Sequence, residues 1–183
     1  MAPLLSLAQQ QAIKTISPNW ANAVKATVGT TNYDQLALEV EENDLQKLLG
    51  AALLQDLQDN PTEPRNATLL DGGTFEDCNG DTIKFKGLRY VLAYMNYSQQ
   101  ILESDVADTF TGFVKKNRNE AEGLSFGEKK QLMINAREKA MIQWELVRQF
   151  LNDNTTTYTL WYCGQSRKPY RPKLTGIRKT HKR

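Results

Sequence analysis

The chain has 183 residues, of which 40% are hydrophobic and 24% charged, enough to build one core of ordinary domain size and too apolar for a disordered composition. The net charge is only +2, and no stretch approaches the roughly 18–20 consecutive apolar residues of a membrane span. The start, Met1-Ala2-Pro3-Leu4-Leu5-Ser6-Leu7, lacks a basic segment and runs into Gln9-Gln10-Gln11, so the expectation is a soluble chain without a secretory signal, made in the cytoplasm.

Residues 4–16 place Leu4, Leu7, Ala8, Ala12, Ile13 and Ile16 among glutamines, which predicts a short amphipathic helix stopped by Ser17-Pro18. Residues 19–31 are ambiguous, with Trp20, Val24 and Val28 as anchors before Gly29-Thr30-Thr31-Asn32. From there Leu36, Val40, Leu45, Leu48, Leu49, Ala52, Leu53 and Leu57 recur at three- and four-residue steps. Thr31 or Asn32 caps this helical stretch, Asn43-Asp44 is a place where it can split, and Asn60-Pro61 ends it. Gly50 falls inside it, and close packing against a neighbouring backbone is expected to compensate. Residues 61–73, with Pro61, Pro64 and Asp71-Gly72-Gly73, read as a loop.

Asn79-Gly80 separates Thr74-Phe75-Glu76-Asp77-Cys78 from Asp81-Thr82-Ile83-Lys84-Phe85, which predicts a β-hairpin over 74–85 closed by a type I′ turn. Residues 86–104 form a helix with two apolar stripes, one of Leu88, Val91, Leu92, Met95 and Leu102, the other of Tyr90, Tyr94, Tyr97 and Ile101. A helix apolar over so wide an arc is either central in the domain or covered by another subunit. Residues 105–124 look like a long connection, in which Phe110, Phe113 and Val114 need burial and Lys115-Lys116-Asn117-Arg118 should be wet. Ser125-Phe126-Gly127-Glu128 is a capping box that starts a helix running to about Asp153, with the stripe Met133, Ala136, Ala140, Trp144, Val147 and Leu151. Thr157 to Cys163 alternates and is rich in β-formers, so it reads as a strand.

The charge is unevenly distributed. After Asp153 there is no acidic residue, and the eight basic ones that follow leave the rest of the chain with 15 basic against 21 acidic, a net −6. This basic end either solubilises or docks on an acidic partner surface or nucleic acid, and Tyr170 among Arg167, Lys168 and Arg171 could stack on a base.

Several chemistries lack their residues. The one histidine is His181, which removes histidine-based triads and histidine-rich zinc sites. No GxGxxG or GxxxxGK[ST] pattern is present, and Asp71-Gly72-Gly73 is read as a turn. Cys78 and Cys163 have no paired spacing and read as reduced thiols. Glu39, Glu41, Glu42 and Asp44 are read as a solvated face, with a hydrolytic carboxylate pair or metal site as the sharper alternative. The sequons at Asn66, Asn96 and Asn154 carry little meaning without a secretory signal. No catalytic residue, metal site or cofactor is therefore expected, and the protein is not expected to be an enzyme.

Residues 33–163 resemble the head–tail connector (adaptor or ring) proteins of tailed bacteriophages, especially crAss-like phages infecting Bacteroides. The resemblance rests on Leu48-Leu49-Gly50-Ala51-Ala52-Leu53-Leu54-Gln55-Asp56-Leu57, on Asp71-Gly72-Gly73-Thr74-Phe75 leading through Asn79-Gly80 to Gly87-Leu88, on Ala93-Tyr94 and Tyr97, on Thr111-Gly112-Phe113-Val114, and on Leu160-Trp161. It implies a ring, commonly of twelve copies, beneath the portal at the capsid vertex. The partners implied are copies of itself, the portal protein, neighbouring connector or tail proteins, and DNA that slides through the lumen without sequence-specific contact. It implies no membrane, and a location in the virion after synthesis in the host bacterial cytoplasm.

The expected fold is mainly α, a small helical bundle with one β-hairpin and extended N- and C-terminal segments. Residues 1–31 form an N-terminal helix and arm, 32–163 the helical domain and 164–183 the basic tail. Partner contacts are expected from Arg167, Lys168, Arg171, Lys173, Arg178 and Lys179 in the tail and from Phe110, Phe113 and Val114 in the connection. The rival readings are a nucleic-acid-binding module that uses the basic tail and an enzyme of unrecognised type.

Overall fold

A computed structural model describes residues 2–23, 31–77, 79–103, 106–109, 112–115 and 125–161, with the backbone alone at 102, 103, 106–109 and 112–115. The fold is mainly helical, as expected. Ser6 Oγ accepts from Gln9 N, and the Gln9 side chain returns the bond, so a capping box starts α1 (Leu7–Ile13). The short α2 (Pro18–Ala21) takes Pro18 at its first position. Thr31 caps α3 (Asn32–Val40) by accepting from Asp34 N.

The predicted long helix over 32–60 is broken twice. A π-helical turn (Glu41–Leu45) follows α3, with Gln46 N bonded to Glu41 O. After α4 (Gln46–Leu49), Gly50 adopts φ +87 and separates it from α5 (Ala51–Asp59). Gly50 is therefore a break, not a mid-helix residue pressed on a neighbour, and a Cβ there would meet nothing within 4 Å. Residues 61–73, expected as loop, contain a helix, α6 (Pro64–Asp71). Pro64 sits at its first turn, where the missing N–H costs nothing. Leu69 and Leu70 bury completely, and Asn66 donates to Asn60 O and Asp56 Oδ2.

β1 (Gly73–Glu76) and β2 (Thr82–Phe85) pair antiparallel, with Phe75 opposite Ile83. The hairpin is where the sequence placed it, but its turn is not type I′. Gly80 takes φ +85 while no described non-glycine residue has positive φ, and Gly80 N donates to Asp77 O at 3.0 Å. The Asp77 carboxylate accepts from Asn79 N and Asp81 N, which holds it below the ordinary carboxylate range.

α7 (Gly87–Glu103) is the central element, packed against α1, α3, α6 and α8 (Phe126–Asp153). Phe85 stacks on Phe150, and Lys139 lies over the Tyr94 ring, so α7 and α8 run antiparallel. The core is built from leucines of α3 to α7 with Trp144, Val147, Phe150 and Leu151 of α8. Phe75, Phe85, Phe150 and Tyr158 form an aromatic cluster at the hairpin end, with centroids 4.6–5.9 Å apart.

Within the expected connection 105–124, β3 (Val106–Thr109) and β4 (Gly112–Lys115) form a second antiparallel ladder. The strand expected over 157–163 does not form at the described residues 157–161, which are turns. Asn154 O accepts from Thr157 N and Tyr158 N, curling the chain back after α8. Tyr158 is buried there and donates to Arg65 O at 2.6 Å. β-Propensity reflects fit to a half-buried surface, and this segment finds that surface without a strand partner.

Candidate functional site

The sequence-predicted contact residues lie mostly beyond what the structure describes. Arg167, Lys168, Arg171, Lys173, Arg178 and Lys179 are outside the described residues, as are Tyr170, His181, Cys78 and Cys163. Phe110 is also outside them, while Phe113 and Val114 fall on β4, whose backbone alone is described.

The acidic run at Glu39–Asp44 is divided by the π-helical turn. In a continuous α-helix the inward stripe Tyr33, Leu36, Ala37 and Val40 would next reach residue 44. Glu41, four residues after Ala37, lies at the edge of that same stripe, and the extra residue of the π-turn moves the next inward position from 44 to Leu45. Glu41 is fully buried, against the expectation of a solvated face for the whole run. Its Oε1 accepts from Leu4 N at 2.7 Å and its Oε2 from Gln58 Nε2 at 3.1 Å. Burial raises its pKa against the opposing pull of those two bonds. Asp44 instead reaches outward to Arg137 of α8 at 2.8 Å, and Glu39 and Glu42 are exposed.

Glu41 belongs to a clamp on the N-terminal arm. Tyr33 Oη donates to Leu5 O at 2.8 Å, and Arg89 Nε donates to Leu4 O at 3.2 Å. Gln10 Nε2 donates to Ala93 O on α7 at 3.1 Å. Leu4 and Leu5 bury into the core beneath these bonds. Both Glu41 oxygens are thus engaged by the protein itself, which makes it a fastener of the N-terminal arm. Among the described residues no group of three or more His, Cys, Asp and Glu could hold a metal ion, and no helix is long and apolar enough to cross a membrane.

The surface features that remain are on α7 and α8. The second stripe of α7 is half-buried at Tyr90, Tyr94, Tyr97 and Ile101. Tyr90 and Tyr94 lie 4.8 Å apart, and three lysines cover the rings: Lys86 over Tyr90 at 4.3 Å, Lys139 over Tyr94 at 5.8 Å and Lys14 over Tyr97 at 4.2 Å. The tyrosine stripe was visible in the sequence; the covering by Lys14 and Lys139 was not, because those two come from stretches distant from α7 in the sequence. On α8, Phe126 is 81% exposed, Ile142 63% and Leu132 38%.

With this architecture in view, the chain belongs to DUF6712, a family of unknown function, which it matches over residues 45–171, more than two thirds of its length. No curated protein and no solved structure matches it.

Proposed function

We propose that this chain is a structural virion subunit that forms a ring joining the portal vertex of the capsid to the tail. The sequence resemblance to head–tail connectors suggests the setting. The observation that carries the reading is the tyrosine–lysine stripe of α7. Tyrosines supply large, rigid, amphipathic contact area and are enriched at protein interfaces. Here they stand in a row on the most heavily packed helix of the fold, half-covered, with Lys14, Lys86 and Lys139 over them. Such a face can be completed by an acidic neighbouring subunit. The clamp on residues 4–10 keeps the arm on its own body, so that α7 and α8 remain the faces for neighbours.

The test is the mass of the purified protein by light scattering, alone and mixed with a candidate portal protein. A ring-sized species, or a monomer that becomes ring-sized with the portal, supports the connector reading. A monomer indifferent to the portal and shifted by DNA in low salt overturns it in favour of nucleic-acid binding by the basic tail, for which counterion release predicts steep salt dependence.

A further inference from the structure

The β1–β2 turn carries a chemistry that the ring reading does not use. Asn79-Gly80 at its tip is the one Asn-Gly pair in the chain, and both residues are exposed. Such a pair places two reactants side by side. The side-chain amide carbon Cγ is an electrophile, and the main-chain nitrogen of the next residue is a nucleophile that can close a succinimide ring on it. Glycine alone presents that nitrogen with no side chain beside it. Water is the other reactant, and it reaches an exposed turn freely.

The reaction balances without an oxidant or cofactor. Gly80 N gives its proton to a base in solution and bonds to Asn79 Cγ. The Cγ–Nδ2 bond breaks, and Nδ2 takes up a proton and leaves as ammonia. Water then adds to either carbonyl of the ring. Opening at Cγ leaves an aspartate, and opening at the main-chain carbonyl leaves an isoaspartate, whose main chain is longer by one carbon. Either way an amide is exchanged for a carboxylate.

The fold adds a restraint. Gly80 N donates to Asp77 O at 3.0 Å, so the nucleophile is held on another acceptor. The Asp77 carboxylate holds Asn79 twice, Oδ1 accepting from Asn79 N at 2.9 Å and Oδ2 from Asn79 Nδ2 at 3.4 Å. Asp77 Oδ1 also accepts from Asp81 N at 2.9 Å, and Asp77 N donates to Asp81 O at 3.0 Å, which closes the turn. Ring closure needs Gly80 N released and the Asn79 side chain turned, so it waits on local opening. In the aspartate product an oxygen replaces the Nδ2 donor opposite Asp77 Oδ2, and an attractive contact becomes a repulsive one. The isoaspartate lengthens a turn whose strands are held in register by Glu76 opposite Thr82.

We infer that Asn79-Gly80 is a site of spontaneous deamidation, guarded in the folded chain by the Asp77 carboxylate, and that conversion loosens the hairpin turn. The purified chain is incubated in mildly alkaline buffer, and peptide mass spectrometry follows residue 79, which gains about 1 Da on conversion. Four samples are compared: folded wild type, wild type kept unfolded in guanidinium chloride, folded Asp77→Ala, and unfolded Gly80→Ala. The other asparagines, none followed by glycine, are the slow reference in each.

Unfolded wild type should convert at Asn79 about tenfold faster than folded wild type. Folded Asp77→Ala should move most of the way to the unfolded rate, and unfolded Gly80→Ala should slow by about tenfold. Converted chains, separated by anion exchange, should exchange the Gly80 and Asp81 amide hydrogens faster than unconverted ones. Conversion of unfolded wild type no faster at Asn79 than at the other asparagines overturns the site. Equal rates in folded and unfolded wild type overturn the guard, and an Asp77→Ala rate equal to that of folded wild type overturns the carboxylate as its source. Unchanged hydrogen exchange after conversion overturns the loosening.

Discussion

At the scale of single residues, the glycines separate into two kinds. Gly72 (φ +86) and Gly87 (φ +73) face each other where the chain leaves α6 and enters α7. A Cβ at Gly72 would fall on the Phe85 carbonyl oxygen, and one at Gly87 on the Leu70 carbonyl oxygen. Gly50 has the same need for positive φ but open space around it. Gly50→Ala should therefore cost about 1–3 kcal/mol of backbone strain alone. Gly72→Ala and Gly87→Ala should cost clearly more, measured by urea unfolding, because backbone must also move. Glu41 carries a pH dependence. Its folded-state pKa stands above the ordinary 4.5, so between the two values the native state holds more protons than the unfolded chain. Unfolding free energy then falls as pH rises through that interval, and the contribution of this group is greatest below it. Glu41→Gln should remove that fall, seen as a difference between variant and wild-type stability that grows in the variant's favour from pH 4 upward. Glu41→Ala should instead destabilise by about 1–3 kcal/mol, because Leu4 N and Gln58 Nε2 lose their acceptor.

At the scale of elements, the capping box of α8 is complete. Ser125 Oγ accepts from Glu128 N at 3.3 Å, and Glu128 Oε2 accepts from Ser125 N and from Ser125 Oγ, each at 2.8 Å, the two bonds that hold the Glu128 carboxyl below its ordinary range. Ser125→Ala should cost about 1 kcal/mol in a urea titration. This helix was legible from four residues, as was α7 from its stripes, because periodic apolar side chains and caps are local signals. The hairpin was legible from Asn79-Gly80, but the turn type depends on backbone bonds to Asp77 that the dipeptide does not specify. α6 was hidden because Pro64 and the Asp71-Gly72-Gly73 run are equally good punctuation for a loop and for a helix's two ends. The segment after α8 was misread because Tyr158 and Trp161 look like strand residues. In the fold Tyr158 bonds Arg65 O, and Trp161 donates to Asn152 Oδ1 at 2.9 Å. The helical period puts Glu41 on the inward stripe four residues after Ala37, but the groups that satisfy its carboxylate, Leu4 N and Gln58 Nε2, come from elements distant in the sequence and were not legible there.

For the whole molecule, the sequence expectation that α7 is either central or covered by another subunit divides between its two stripes. Leu88, Val91, Leu92 and Met95 are buried by the chain's own helices, while Tyr90, Tyr94 and Tyr97 remain half-open. That open stripe, with Lys14, Lys86 and Lys139 over its rings, is a face through which the proposed ring would close. Raised salt should weaken association between copies, because the rim contacts proposed are between exposed charges. The most direct test is the mass of the purified chain in solution by light scattering, alone and with a portal protein. The account predicts a discrete species many times the 20.8 kDa of one chain in at least one of the two conditions. A single-chain mass in both, at every concentration reached, would contradict it.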